Sequence, residues 1–318
     1  MGEISDATLG AAAGITVSVC WTFTSLFFSA ASRRVGPLAV NAYRIVLAVI
    51  LLACTHRALA GAWIPPAGAK QALFLAGSGL IGLTIGDGAL LSAYVQIGPR
   101  VASLIMTTAP LMAAVFGWFA LGERLSVAAW AGVLLTVGGV AWVVGERSAA
   151  TGLTKGASRA RGVALALVAA ACQAAGLVLS KQGMGYGWLP PEQRLTPQAA
   201  TLLRMAFACL GVLPLVAWHR LRTGARCRPD SRAPTGGEWR SGLALASLGA
   251  VGGPYLGVWL SLEATARVSV GVAQTLCSLP PIFILPFSAW LHRERIGARA
   301  ILGAVAAVAG VAVLVLTG

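Results

Sequence analysis

Three ionisable side chains interrupt otherwise apolar stretches of this 318-residue chain: Asp87, Arg44 and Arg204. An acid inside an apolar span is costly, so Asp87 carries a functional hypothesis. It could bind a proton or cation that drives transport, or it could hold a substrate amine. The structural alternatives are an ion pair with Arg44 and a helix-breaking cap between Gly86 and Gly88.

Arg44 and Arg204 each lie about 7 to 9 Å from the start of an apolar run, at 1.5 Å per helical residue. A long side chain at that depth can snorkel to the membrane interface, which favours a structural role. The alternative is that both arginines face a cavity. A guanidinium group matches carboxylate and phosphate, so that arrangement would favour anionic or zwitterionic substrates.

Neutral polar and aromatic residues within the runs supply the remaining candidates for a substrate site. Gln173 and Gln274 stand out because each amide interrupts an apolar run and needs a partner or a wet cavity. The alternative for every member is a helix contact or an anchor at the membrane interface. The full set is Trp21, Tyr94, Thr107, Thr108, Gln173, Trp259, Gln274 and Ser278.

The sequence offers no pattern for catalysis, a metal or a cofactor. The three histidines, His56, His219 and His292, fall at the ends of apolar runs, and the six cysteines form no CxxC pair. No GxxxxGK[ST] loop is present, so we expect no ATP-driven step.

The composition places this set of residues in a membrane protein. Hydrophobic residues make up 57% of the chain, charged residues make up 11%, and the mean hydropathy is +0.79. A soluble fold of this length would need a far more polar surface. The net charge of +14 lies mainly in short segments between apolar runs, where it serves topology and lipid head-group contacts. Nucleic-acid binding is therefore not expected.

A hydropathy window of about 19 residues gives ten apolar runs, which predicts an all-α polytopic membrane protein with ten transmembrane helices. An even number places both termini on one side. The third run contains several glycines and Asp87 and could be bent. The runs are Leu9–Ala31, Leu38–Cys54, Gln71–Ile97, Val101–Leu121, Val127–Val144, Gly162–Leu179, Ala199–Trp218, Ser241–Leu262, Val268–Leu291 and Ala300–Leu316.

The chain contains its architecture twice. The stretch Gly98–Ser126 is echoed in Ala266–Gly297, and the interval from Pro110 to a Glu-Arg pair recurs from Pro281 to a second pair. Each half holds five runs, an odd number, so the halves are predicted to be inverted repeats with a ligand site near the midplane. The predicted division is a five-helix repeat (1–145), a linker (146–161) and a second five-helix repeat (162–318).

Two small-residue pairs occupy equivalent places in the two halves. Gly82 and Gly86 form one GxxxG motif, and Gly249 and Gly253 form the other. Such pairs let helix backbones approach closely. We expect them to pack helices within each half, with a sliding seam between the halves as the alternative.

Three segments carry a family resemblance: Ile85-Gly86-Asp87, Ile97-Gly98-Pro99 and the stretch from Pro110 to Leu121-Gly122-Glu123. With them the chain resembles the EamA-type ten-helix exporters of the drug/metabolite transporter superfamily over nearly its whole length. The second half departs from the pattern, with Leu291-His292-Arg293-Glu294 in the corresponding loop. The resemblance implies a bacterial cytoplasmic (inner) membrane location and a cytoplasmic N-terminus. The positive-inside rule favours the reverse orientation, so the sequence leaves both orientations of the N-terminus open.

These observations predict a secondary transporter, an exporter of small polar or amphipathic metabolites that resemble amino acids or drugs. Two halves would rock about a central cavity, with protons as the coupling ion at Asp87. The expected partners are the metabolite and membrane lipids. The alternatives are a membrane-embedded enzyme and a non-transporting partner in a membrane assembly. An enzyme would need paired catalytic groups that a single acid does not supply.

Overall fold

The computed structural model describes residues 6–149, 157–224, 235–280, 282–283 and 298–317, and within these ranges the fold is entirely helical. The N-terminal half comprises α1 (Asp6–Val35), α2 (Pro37–Ala60), α3 (Ala69–Ser78), α4 (Asp87–Met106), α5 (Ala109–Leu121) and α6 (Val127–Ala149). The C-terminal half comprises α7 (Ala157–Gly183), α8 (Pro197–Gly224), α9 (Gly236–Ala250), α10 (Val258–Arg267), α11 (Val270–Leu276) and α12 (Ala298–Thr317).

The described helices have the length and composition of membrane spans. Seven helical stretches are long and apolar enough to cross a bilayer, and two shorter apolar helices, Val127–Trp142 and Ile301–Leu316, match the fifth and tenth predicted runs. Large apolar side chains such as Phe119, 78% exposed, face outward, as lipid contact requires. The all-helical prediction is confirmed for the described residues. The count of ten is not confirmed, because the ninth run, Val268–Leu291, is described only in its first part.

Two long spans widen into π-helical turns near their middle. Gly79–Gly86 joins α3 to α4, and Val251–Gly257 joins α9 to α10. Both stretches are rich in glycine, and the second contains Pro254, which removes a backbone donor from the helix. The third predicted run is therefore continuous but locally widened. Such turns are frequent at functional sites.

The helix that precedes Pro110 breaks at Thr107 and Thr108, and the later span breaks in the same way at Cys277 and Ser278. At each break a hydroxyl group donates to a backbone carbonyl. Thr107 Oγ1 donates to Leu104 O at 2.6 Å, and Ser278 Oγ donates to Gln274 O at 2.7 Å. This arrangement fits the expectation that a proline inside a span needs compensating partners. Pro281, Cys227 and the Glu294-Arg295 pair lie outside the described residues.

The glycine pairs pack between the halves, so the expectation of packing within each half is wrong. A Cβ added at Gly86 would lie 2.7 Å from Cys172 Cβ on α7, and one at Gly249 would lie 2.5 Å from a Phe28 ring carbon on α1. The first helix of each half therefore packs on the widened span of the other. The glycine face of each widened span points away from the helices that are adjacent to it in the sequence. It therefore packs on a helix of the other half.

The helices α6 and α12 form a second contact between the halves, with glycines facing each other in a reciprocal pattern. A Cβ at Gly132 would lie 3.0 Å from Gly310 O, and a Cβ at Gly139 would lie 2.5 Å from Gly303 O. Thr136 Oγ1 contacts Ala307 O at 3.4 Å between these two crossings. Bulkier side chains would force the two backbones apart.

We predict that Gly139→Val lowers the melting temperature of the protein in detergent. Its Cβ would meet the backbone of Gly303 and Ala307, and overpacking of this kind costs about 1 to 3 kcal/mol. The control is Gly138→Val, because a Cβ at Gly138 has nothing within 4 Å. Size-exclusion chromatography after stepwise heating measures both variants. Equal melting temperatures would contradict the close approach of α6 and α12.

Candidate functional site

A cavity of about 150 Å³ lies between the two halves. The N-terminal half contributes α1, α2, the first widened span and the segment before Thr108, and the C-terminal half contributes α7, α8, the second widened span and α11. Both π-helical stretches reach the cavity wall, with Leu83 in the first and Gly253 and Pro254 in the second. The cavity holds several times the volume that one water molecule needs, so a small metabolite fits the space better than a single ion.

Nine of the eleven predicted site residues line this one cavity: Trp21, Arg44, Asp87, Tyr94, Thr107, Gln173, Arg204, Gln274 and Ser278. The other two lie elsewhere. Thr108 Oγ1 donates to Ile105 O at 2.8 Å, and Trp259 Nε1 donates to Glu263 Oε1 at 3.3 Å. Thr108 thus stabilises the helix break, and Trp259 is half-buried on α10 with its ring 6.4 Å from that of Tyr255.

Asp87 stands at the first residue of α4, directly after the π-helical stretch. Its two carboxylate oxygens have different partners. Arg44 Nη2 forms an ion pair with Oδ2, and Gln173 Nε2 donates to Oδ1 at 2.7 Å. Arg44 belongs to the N-terminal half and Gln173 to the C-terminal half, so this carboxylate links the two halves beside the cavity.

Arg44 does not snorkel, contrary to the structural expectation: it is buried and held from two sides. Its Nε and Nη2 donate to Asn41 Oδ1 at 3.0 and 2.8 Å, and its guanidinium carbon lies 5.1 Å from the centroid of the Phe28 ring. Asn41 Nδ2 in turn donates to Leu83 O at 3.3 Å, in the widened span. A backbone carbonyl of the π-helical stretch thus accepts from the amide that orients Arg44.

Arg204 is also buried rather than snorkelling, with 2% of its surface exposed. Its guanidinium lies against a gap left by two glycines: a Cβ at Gly82 would lie 2.8 Å from Nη2, and a Cβ at Gly176 would lie 3.2 Å from it. The backbone of α8 also packs tightly on the widened span at Gly79. The glycines are therefore needed to place a cationic side chain at the cavity wall.

Sequence reasoning missed several residues around the cavity. Asn41 lies three positions before Arg44 on the same helix face, and that spacing is the signal that could have identified it. Phe28, Leu90 and Leu91 supply apolar wall next to the charged cluster, but their types do not distinguish them from ordinary helix packing. The cavity therefore has a charged region and an apolar region.

A second polar cluster ties the helix ends at the face of the bundle where α1 begins and α5, α7 and α10 end, here called the N-terminal face. Lys181 Nζ donates to Glu123 Oε1 at 2.6 Å and to Val268 O at 2.8 Å. Glu123 Oε2 accepts from Val270 N at 2.8 Å. Glu123 thus joins the end of α5 to two elements of the other half. Ser126 caps α6 by accepting from Ala129 N at 3.0 Å.

The described residues contain no group of three or more His, Cys, Asp or Glu side chains that could hold a metal ion. The polar groups around the cavity are guanidinium, carboxylate, amide and hydroxyl groups. Such groups recognise a polar or charged small molecule by hydrogen bonds and ion pairing.

The apolar helices, the exposed apolar exterior and the polar cavity between the halves define a polytopic integral membrane protein with an internal cavity. Residues 8–145 and 160–316 each match the EamA-like transporter family, so this chain belongs to that family. Members of the family are membrane transporters of small molecules rather than enzymes. The family resemblance drawn from the sequence is confirmed.

Comparison with solved structures supports the fold. A protein crystal structure matches with a TM-score of 0.71 and 21% sequence identity, covering 96% of this chain and 96% of the other. At that identity the likeness concerns the fold alone. A sequence comparison with curated proteins gives no match.

Proposed function

We propose that this protein is a secondary transporter, an exporter of small polar or amphipathic metabolites in the bacterial cytoplasmic membrane. The observation that carries the proposal is a cavity lined by both halves, with a charged cluster beside an apolar wall. Transporters built from inverted repeats place the substrate at such a boundary, near the middle of the membrane. The reciprocal contacts of Gly132 with Gly310 and of Gly139 with Gly303 support an inverted relation between the halves.

Alternating access requires that contacts at one face break while the cavity stays intact. Among the described residues, the ion pairs other than Arg44–Asp87 lie at the N-terminal face, and they involve Lys181, Glu123 and Arg267. We therefore propose that the Lys181–Glu123 cluster, with its two backbone contacts, holds the halves together at that face. Its release would open the cavity there.

The transport proposal predicts that overexpression raises at least one metabolite severalfold in the growth medium. The leading compound should then show counterflow in proteoliposomes that contain the purified protein. The control is Ser278→Trp, which fills part of the cavity and should abolish counterflow in protein that elutes normally from a sizing column. If no compound moves in either assay, the proposed function is wrong.

Asp87 is the proposed site for a coupling proton. Protonation would remove the charge that Arg44 binds, so proton occupancy and the Arg44–Asp87 contact are linked. Asp87→Asn should make transport in proteoliposomes independent of the pH gradient. Asp87→Asn alone leaves the Arg44 charge buried without its partner and could prevent folding. The double variant Arg44→Gln with Asp87→Asn removes both charges and replaces the single variant in that case. Gradient dependence that survives in Asp87→Asn would exclude this role and leave transport itself standing.

The proposed closure at the N-terminal face predicts a change in labelling. A cysteine at position 278, in a chain lacking its other cysteines, should react with a membrane-impermeant thiol reagent several times faster from that face when Glu123→Gln is added. Vesicles of both orientations supply the two faces. The control is Glu263→Gln, because Glu263 pairs with Arg267 within α10 and ties no helices together. Equal labelling in the two variants would contradict the closure.

A further inference from the structure

The cavity contains more positive than negative charge. Its charged lining residues, within the described part of the chain, are Arg44, Arg204 and Asp87. One carboxylate therefore stands against two guanidinium groups, a formal excess of one positive charge. In a bundle of low dielectric, such an excess acts strongly on any ligand that enters.

Arg44 and Asp87 already satisfy each other. Arg44 binds Asp87 Oδ2 and the Asn41 amide oxygen, and the second oxygen of Asp87 accepts from Gln173. Arg204 forms no ion pair with either oxygen within 4.0 Å, so the Asp87 charge acts on it only from a greater distance. The excess charge in the cavity is therefore located on Arg204.

Arg204 has no polar partner of its own among the described residues. Its Nε is buried without a hydrogen bond, and no carboxylate of the described chain lies within 4.0 Å of its guanidinium. The glycine gap at Gly82 and Gly176 positions the group by packing alone. A buried cation without a partner is costly, and proteins rarely keep one unless something binds it.

The internal repeat explains why this cation is unpaired. Arg44 corresponds to Arg204 in the second half, and Asp87 corresponds to Pro254. The first arginine thus has an acid on the widened span of its own half, whereas the second has a proline at the matching position. Pro254 lines the cavity with Arg204, so the place of the missing acid faces the ligand space.

We propose that the transported compound carries a carboxylate that binds Arg204 and occupies the place of this missing acid. A guanidinium group binds a carboxylate through two parallel hydrogen bonds, and a single negative charge balances the single excess positive charge. Trp21, Phe28 and Leu90 provide apolar wall for the rest of the molecule. The substrate class is a small amphipathic monocarboxylate, with or without an amine. This inference rests on the proposed transport function.

The test uses matched compounds that differ only in charge. Leucine, leucinamide, 4-methylpentanoate and 4-methylpentanamide share one skeleton, and the corresponding four compounds with the phenylalanine skeleton extend the apolar part. Binding to the full-length protein in detergent is measured by thermal shift and by competition against the metabolite found in counterflow. Each carboxylate should bind about tenfold or more tightly than its matched amide. Equal binding within the pairs, or tighter binding of the amides, would overturn the inference.

The metabolite found by profiling provides an independent test of the inference, because it does not depend on the choice of the leucine and phenylalanine compounds. An exported compound that carries a carboxylate supports the inference. An exported neutral or cationic compound overturns it and leaves the transport function standing. If no compound is exported, the transport function fails, and the inference that rests on it fails too.

Variants locate the effect at Arg204. Arg204→Gln should reduce the preference for carboxylate over amide to less than about twofold, since the guanidinium is the source of the preference. Arg57→Gln is the control, because Arg57 is an exposed arginine at the end of α2, away from the cavity. Where Arg204→Gln fails to fold, Gly82→Ala keeps the charge but displaces Nη2, and carboxylate binding should weaken. A preference unchanged in a folded Arg204 variant would contradict the assignment.

Discussion

The rest of the structure depends on how three buried charges are accommodated inside an apolar bundle. Asp87 binds Arg44 from its own half and Gln173 from the other half, and Asn41 holds Arg44 from its second side. Because unpaired charges are costly in such surroundings, these contacts restrict how α2, α4 and α7 can lie relative to one another. The cavity is the space that remains beside this network.

Glycine and the π-helical turns make the network possible. The widened span brings Asp87 to the start of α4 and leaves carbonyls that Asn41 can bind, while Gly82 and Gly176 leave room for the Arg204 guanidinium. The same glycine faces bring α7 close to the widened span. Close backbone approach and charge placement are therefore two results of one sequence feature, and a larger side chain at Gly82 would affect both.

Much of this arrangement could be predicted from the sequence, because polar residues inside apolar runs are few and a repeated proline marks where spans break. The remainder depends on tertiary contacts. Thr107 and Thr108 are adjacent, but only Thr107 lines the cavity, because the helix break sets a rotation that no pattern encodes. Glu123 and Lys181 lie just past the ends of two predicted runs, and no sequence pattern pairs them. Their contact joins elements 58 positions apart, and only the folded chain reveals it. Arg44 and Arg204 occupy equivalent positions in the two repeats and look alike in the sequence. Among the described residues, however, Arg44 forms an ion pair and Arg204 does not.

This difference between the two arginines bears on how a two-fold framework can move a charged compound. A symmetric pair of Arg-Asp contacts would leave the cavity neutral and every charged group satisfied, with no group left to attract a ligand. With proline in place of the second acid, the empty cavity keeps an uncompensated charge that a bound carboxylate would neutralise. Closing both faces around the empty cavity would then bury a free cation, whereas closing them around the loaded cavity would bury an ion pair. On the proposed assignment, the loaded protein reorients more readily than the empty one, so exchange of substrate across the membrane is faster than net flow.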